Sequence, residues 1–285
     1  ANSDCCSRYA VTGKVVGTMG KGILSNPEWV FVDASNNLYV TNHNGESVIK
    51  LDANGRQLLK IDAKTFRRAN SLTVDGAGNI YVVDRDTNLV YKFDSNGNKL
   101  GVLGGNTLLN SPRGIAVADN GNILVVSQNN DEVVEFDQSG RVVNSIGKSV
   151  LSNPFDVKID KNGMIYVSDT ILREVAIFSR NGTLIQEFKG EAGKSAFRST
   201  GGIEVTKDGK LYVMDILSSK IYVYGWDGSS AINSGGGSTI STAVLEASGV
   251  KISSVTALSA GSAKLNLIWN TLENVTAYKV YRKTK

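Results

Sequence analysis

The sequence predicts an all-β chain: a six-bladed β-propeller built from four-strand repeats of about 42 residues. Three observations carry that reading. A strand phrase recurs along the chain as Asn37-Leu38-Tyr39-Val40, Asn79-Ile80-Tyr81-Val82, Asn122-Ile123-Leu124-Val125, Met164-Ile165-Tyr166-Val167 and Lys210-Leu211-Tyr212-Val213. A glycine turn keeps the same phase at Gly13, Gly55, Gly97, Gly140, Gly182 and Gly228, at intervals of 42, 42, 43, 42 and 46 residues. Between the turns, β-branched and aromatic residues alternate with period two, and no helical spacing interrupts them.

Residues 1–7 read as an amino-terminal tail that carries the only cysteines, Cys5 and Cys6. An opening of Ala1-Asn2-Ser3-Asp4 without Met looks like the mature side of a removed signal peptide, which sets the expectation of an extracellular or cell-surface protein. Adjacent cysteines have no usual zinc-ligand spacing. They are left with pairing to another chain, a strained vicinal bridge, or free thiols. From Arg8 to Met19 the chain reads as the end of a preceding unit, with Lys14 to Met19 as its outer strand and Gly13 in phase.

Residues 8–230 hold the blades, of which the second shows the plan. Ser71 to Asp75 is its first strand, Gly76-Ala77-Gly78 a tight turn, and Asn79 to Val83 the second strand. Asp84 to Leu89 is a longer loop, Val90 to Asp94 the third strand, Ser95-Asn96-Gly97 a second tight turn, and Lys99 to Leu103 the outer strand. One face of the disc therefore carries short, stereotyped turns, and the other carries longer, variable loops able to hold a site. Pro27, Pro112 and Pro154, the only prolines, each sit just before the first strand of a unit, where a missing N–H donor is least costly. Asp33, Asp75 and Asp160, like Asp52, Asp94 and Asp137, recur in phase at strand ends. That recurrence suits turn-capping acceptors better than catalysts.

Residues 231–250, rich in Gly and Ser from Ser234 to Ser238, read as a connection. Residues 251–285 offer three further strands, Ser253 to Leu258, Lys264 to Trp269 and Ala277 to Arg282. With the amino-terminal strand they would complete a sixth blade and remove two exposed edges.

Segments such as Ser111-Pro112-Arg113-Gly114-Ile115-Ala116-Val117, followed by Gly121-Asn122-Ile123-Leu124-Val125-Val126, resemble the NHL repeat of six-bladed propellers, and residues 24–230 follow that register through five units. The closing segment also resembles the first half of a fibronectin type III domain, in Leu265-Asn266-Leu267-Ile268-Trp269 and Tyr278-Lys279-Val280-Tyr281-Arg282. Half a sandwich cannot close its own core. The NHL resemblance implies a fold and leaves function open, because such propellers include RNA-binding domains, an amidating lyase and extracellular binding domains.

Lyases of similar fold use several histidines for zinc and acid–base work. This chain has only His43, in the loop Asn42-His43-Asn44-Gly45-Glu46, and it reads as solvated. Lactonase-type propellers hold Ca²⁺ at the channel mouth with Glu, Asn and Asp. Glu28, Asn70 and Asp156 start first strands and are the weak metal candidates here, with Arg113 opposing a cation. A ligand- or partner-binding set is expected on the variable-loop face. Lys64, Phe66, Arg67 and Arg68 share one blade-to-blade loop, and Lys194, Phe197 and Arg198 share another. Arg85, Asn129, Asn130 and Arg173 lie in second-to-third-strand loops. Such basic and aromatic groups suit phosphate or stacked bases, while Phe66 and Phe197 equally suit plugs between blades.

The formal charge of +4, from 31 basic and 27 acidic residues spread along the chain, gives no reason to expect a polyanion. No stretch is apolar and long enough to span a membrane. The expectation is an exported, non-catalytic propeller without a cofactor, a binding or structural subunit with a protein partner, self-association included. A Ca²⁺-dependent lyase or lactonase is the second reading and nucleic-acid binding the third.

Overall fold

The computed structural model describes residues 4–9, 15–43, 46–62, 66–190, 197–207, 209–225, 241–245, 267–268 and 277–281. Two strands open it, β1 (Cys5–Tyr9) and β2 (Val15–Met19). Five four-stranded sheets follow, paired in sequence order. The first blade is β3 (Pro27–Val32), β4 (Leu38–Asn42), β5 (Ser47–Leu51) and β6 (Gln57–Ile61). The second is β7 (Ala69–Val74), β8 (Ile80–Asp84), β9 (Leu89–Phe93) and β10 (Lys99–Gly104). The third is β11 (Pro112–Val117), β12 (Ile123–Ser127), β13 (Glu132–Phe136) and β14 (Val142–Ile146). The fourth is β15 (Pro154–Ile159), β16 (Ile165–Asp169), β17 (Glu174–Phe178) and β18 (Leu184–Phe188), and the fifth is β19 (Thr200–Val205), β20 (Lys210–Asp215), β21 (Lys220–Gly225) and β22 (Ser241–Leu245). The last strands, β23 (Leu267–Ile268) and β24 (Ala277–Tyr281), join the opening pair in a sheet of order β2-β1-β24-β23. The chain is an all-β propeller.

Turn chemistry sets the blade geometry. Asp33 Oδ1 accepts the N–H groups of Ser35 and Asn37 at 2.9 and 2.8 Å, and Asp75 and Asp160 do the same one and three blades later. Asp52, Asp94 and Asp137 cap the second turn of their blades in the same way. These are the recurring aspartates expected as caps. At the second turn Gly55, Gly97, Gly140 and Gly182 have φ of 85 to 86°, which only glycine adopts freely.

No blade buries its own faces, so the cores lie between blades. Trp29, Tyr39 and Ile61 of the first blade pack with Leu72, Ile80, Val82 and Phe93 of the second. Tyr81 and Leu103 of the second meet Ile115, Val125 and Phe136 of the third, and Tyr166 and Phe188 of the fourth meet Ile203, Val213 and Tyr224 of the fifth. The first strands β3, β7, β11, β15 and β19 stand side by side around the axis.

Two sequence expectations are corrected. Within the segment read as a tail, β1 starts at Cys5 and pairs with both β2 and β24, so two amino-terminal strands enter that sheet instead of one. The stretch 231–250 is more than a connection, because β22 lies within it as the outer strand of the fifth blade. Of the three strands expected after residue 250, the second and third coincide with β23 and β24; Ser253 to Leu258 lies outside the described residues.

Candidate functional site

The variable-loop face is organised by one residue per blade, at the end of each second strand. Asp84 Oδ2 accepts the N–H of Arg67 at 2.6 Å, and its Oδ1 accepts those of Arg68 and Asp86 at 3.0 and 3.1 Å. Asp169 binds the N–H groups of Ser152, Asn153, Ile171 and Leu172, and Asp215 those of Arg198, Ser199 and Ser218. Asn42 and Ser127 hold the equivalent positions with Ser25 and Asn110. Each of the three aspartates ties the loop entering its blade to the loop at the blade's middle, and all three are fully buried. The phrases Val83-Asp84, Ser168-Asp169 and Met214-Asp215 carry this signal in the sequence, in phase with the repeat, although Asp84 by itself reads as the start of a loop.

At the mouth of the axial channel Glu28 is buried and accepts a hydrogen bond from Asn70 Nδ2 at 3.0 Å, with His43 Nδ1 3.5 Å from its other oxygen. His43 is therefore half-buried against a carboxylate and not a solvated loop residue. Asp156, the third metal candidate, is engaged elsewhere. Its oxygens take Lys158 Nζ at 2.9 and 3.0 Å and the N–H groups of Val157 and Ile203 at 2.8 and 3.0 Å. Glu28 and Asn70 are thus brought together, and the Asp156 oxygens are occupied by Lys158 and main-chain N–H groups. Among the described residues no group of three His, Cys, Asp or Glu is placed to hold a metal ion.

Below the mouth the inner strands enclose a cavity of ≈ 170 Å³, lined by Trp29, Phe31, Thr73, Val117, Lys158 and Glu204, among others. Lys158 lies 5.2 Å from the centre of the Trp29 ring. Burial pushes the Asp156 carboxyl up and Lys158 pulls it back. Glu204 is pushed up to about 7 by burial, opposed by Lys158 and reinforced by the charge of Asp156.

The basic residues expected on this face divide. Phe66 and Phe197 are buried between blades in edge-to-face contact with Phe93 and Phe188, which makes them plugs and not stacking platforms for bases. Arg67, Arg173, Arg198 and Asn129 are exposed, Asn130 is half-buried, and Lys64 and Lys194 lie outside the described residues. Arg68 and Arg85 are half-buried, and their charges act on Arg113 of the next blade, which the sequence offers only as an obstacle to calcium. The cysteines are both free thiols; Cys6 is fully buried beside Met19, Leu24 and Val30, and Cys5 is half-buried. Cys6 therefore presents no thiol to another chain in the folded state.

No protein-family model matches the sequence, and no curated relative is found by sequence. Solved structures of the same fold are found. One is a streptogramin B lyase, with TM-score 0.61 and 19% identity over 77% of this chain and 68% of that one. A second is a catalytically inactive virginiamycin B lyase from Staphylococcus aureus with quinupristin, with TM-score 0.62 and 13% identity over 87% of this chain and 77% of that one. A third is a chain of the nidogen/laminin complex, with TM-score 0.60 and 13% identity over 78% of this chain and 88% of that one. Identities this low speak to the fold alone. The set spans an enzyme and a protein–protein complex.

Proposed function

We propose that this chain is a non-catalytic binding propeller that presents the channel mouth and its surrounding loops to a ligand or partner. One observation carries the reading. The buried aspartates Asp84, Asp169 and Asp215 hold main-chain N–H groups of both loops in their blades, which makes a rigid platform under exposed polar tips such as Arg67, Asn129, Arg173 and Arg198. Rigid support beneath variable side chains is what recognition requires. In this reading the partner is a protein, at a cell surface or in an extracellular assembly; a chain of the same fold is found in the nidogen/laminin complex.

The ring is six-bladed in this reading, closed by the sheet that joins both ends of the chain. Five antiparallel pairs, from Cys5 opposite Tyr281 to Tyr9 opposite Ala277, support it, as does the position of β23 against both β19 and β3.

A metal-dependent lyase or lactonase is the second reading, favoured by His43 beside Glu28 at the mouth and by the lyase structures of the same fold. Incubating the full chain with quinupristin and divalent cations, followed by reversed-phase chromatography, separates the two. Unchanged quinupristin is expected, and a product peak that grows with enzyme concentration overturns the non-catalytic reading. Hydrogen exchange on a ligand-bound sample should show protection in loops 66–68, 85–88, 110–113 and 128–131. Protection confined to the opposite, tight-turn face would move the binding surface there.

A further inference from the structure

We propose that Arg68, Arg85 and Arg113 form a binding site for a small oxyanion, a carboxylate or phosphate group, at the channel mouth. The proposal rests on the reading of this face as the binding surface and names the chemistry that it takes.

Arg113 is the anchor. It is the second residue of β11 and only 5% exposed, so its guanidinium is almost stripped of water. Its Nε donates to Gln128 Oε1 at 2.9 Å, and Gln128 is itself held by Asn153 through Nε2 at 3.2 Å. The Phe155 ring lies 5.0 Å from the guanidinium carbon. These contacts fix the orientation of the fork and occupy one of its donors. The two terminal nitrogens have no hydrogen-bond acceptor among the described residues and are not sealed from solvent. No carboxylate of the described residues lies within ion-pair distance of Arg113. A buried cation without a counter-charge is costly unless something else supplies one.

Two further guanidinium groups act on Arg113 through their charge. Arg85, directly after β8, donates from Nε to Ser111 Oγ at 2.7 Å; no carboxylate of the described residues lies within ion-pair distance of it, and Asp86 acts on it only as a more distant charge. Arg68, directly before β7, meets Asp86 at 4.0 Å, a partner that is itself half in water. Asp84 lies beneath them with both oxygens on main-chain N–H groups. Burial, followed by the charges of Arg85 and Arg68, pushes Arg113 downward from its ordinary value, the direction expected of clustered cations that repel.

The protein shows what a structural arginine looks like. Arg180 is paired to Glu135 through both terminal nitrogens, whereas Arg113 is aligned, desolvated and left without an acid. Open donors in a planar fork, in a water-poor site with positive potential, match an oxyanion in shape and charge.

The test titrates the full chain with inorganic phosphate and, separately, with citrate by isothermal calorimetry, sodium chloride holding ionic strength constant. Saturable one-site binding of at least one probe is expected, and the tighter of the two identifies the group as phosphate or carboxylate. Arg113→Gln and Arg85→Gln should each weaken it at least tenfold, whereas Arg173→Gln, exposed and elsewhere on the face, should bind as wild type. Arg85 is half-buried, so its variant keeps the test informative if Arg113→Gln does not fold. Binding no stronger than the chloride control, wild-type affinity in Arg85→Gln, or equal weakening in Arg173→Gln overturns the site. Such a failure with quinupristin unchanged removes only the oxyanion, whereas turnover of quinupristin removes the binding reading whatever the calorimetry shows.

Discussion

Arg180, in the second tight turn of the fourth blade, reaches back to Glu135 in the third strand of the third, its two terminal nitrogens 3.1 and 2.5 Å from the carboxylate oxygens. Asn122 Nδ2 completes the carboxylate at 2.6 Å. The blades are thus joined by charge as well as by apolar packing.

Removing either partner should therefore loosen the third blade from the fourth. Arg180→Ala leaves a buried carboxylate short of donors and should cost about 1–3 kcal/mol in denaturant unfolding, the lower end reflecting the partial exposure of the arginine. Burial alone would raise the Glu135 carboxyl, but hydrogen bonds from Arg180 and Asn122 prevail and hold it below its ordinary value of 4.5. Its contribution is present above pH 4.5 and lost as the pH falls through the depressed value. A double-mutant cycle with Glu135→Gln, repeated in acid, checks both statements.

Tyr81 and Tyr166 occupy the same repeat position, and each is buried between its own blade and the next. Replacement by Ala should cost roughly 3–5 kcal/mol. Tyr81→Phe removes only the bond from Tyr81 to Asp75 Oδ2, 3.2 Å long, and should cost about 0.5–1.5 kcal/mol. Equal costs for the two variants at Tyr81 would show that packing between blades is not what the ring supplies.

Glu204 gives the channel a pH dependence of the opposite sign. Its carboxyl is raised in the fold, so the folded state holds the proton more tightly and stability falls as the pH rises from 4.5 to about 7. Melting temperatures across that window should show the fall, and Glu204→Gln should flatten it. The absence of any fall that Glu204→Gln removes would place Glu204 in water.

Cys6 should not react with a thiol reagent in the folded protein. It is fully buried and its thiol is pushed far up by burial, with the Cys5 charge adding to that, whereas Cys5 is half-buried and only partly shielded. Native labelling should reach at most one thiol per chain, rising to two on unfolding. Two fast native thiols would show that β1 is open.

Deleting residues 1–9 removes β1, the strand between β2 and β24, and should lower the melting temperature sharply while broadening the transition. An unchanged, cooperative transition would remove the closing role assigned to that sheet.

The blades were legible in the sequence because their determinants are local. Aspartate caps, positive-φ glycines and period-two alternation act within a few residues, so Asn79 to Val83 could be read as a strand from its own residues. The strand at Cys5–Tyr9 was not, since Cys-Cys-Ser-Arg-Tyr has little alternation and takes its place by pairing with Ala277–Tyr281 across the length of the chain. β22 was hidden for a similar reason, lying beyond a Gly/Ser-rich stretch that locally reads as a connection. The arginine cluster needed the tertiary structure outright: Arg68 and Arg85 flank one blade, and Arg113 joins them only because the next blade stacks alongside.

The aspartate clasps have one further consequence. Asp84, Asp169 and Asp215 grip the main chain and ask nothing of the side chains at the loop tips. Recognition residues on this face can be exchanged one at a time while the scaffold beneath keeps its shape, so mutational drift can change what the propeller binds without passing through unfolded intermediates.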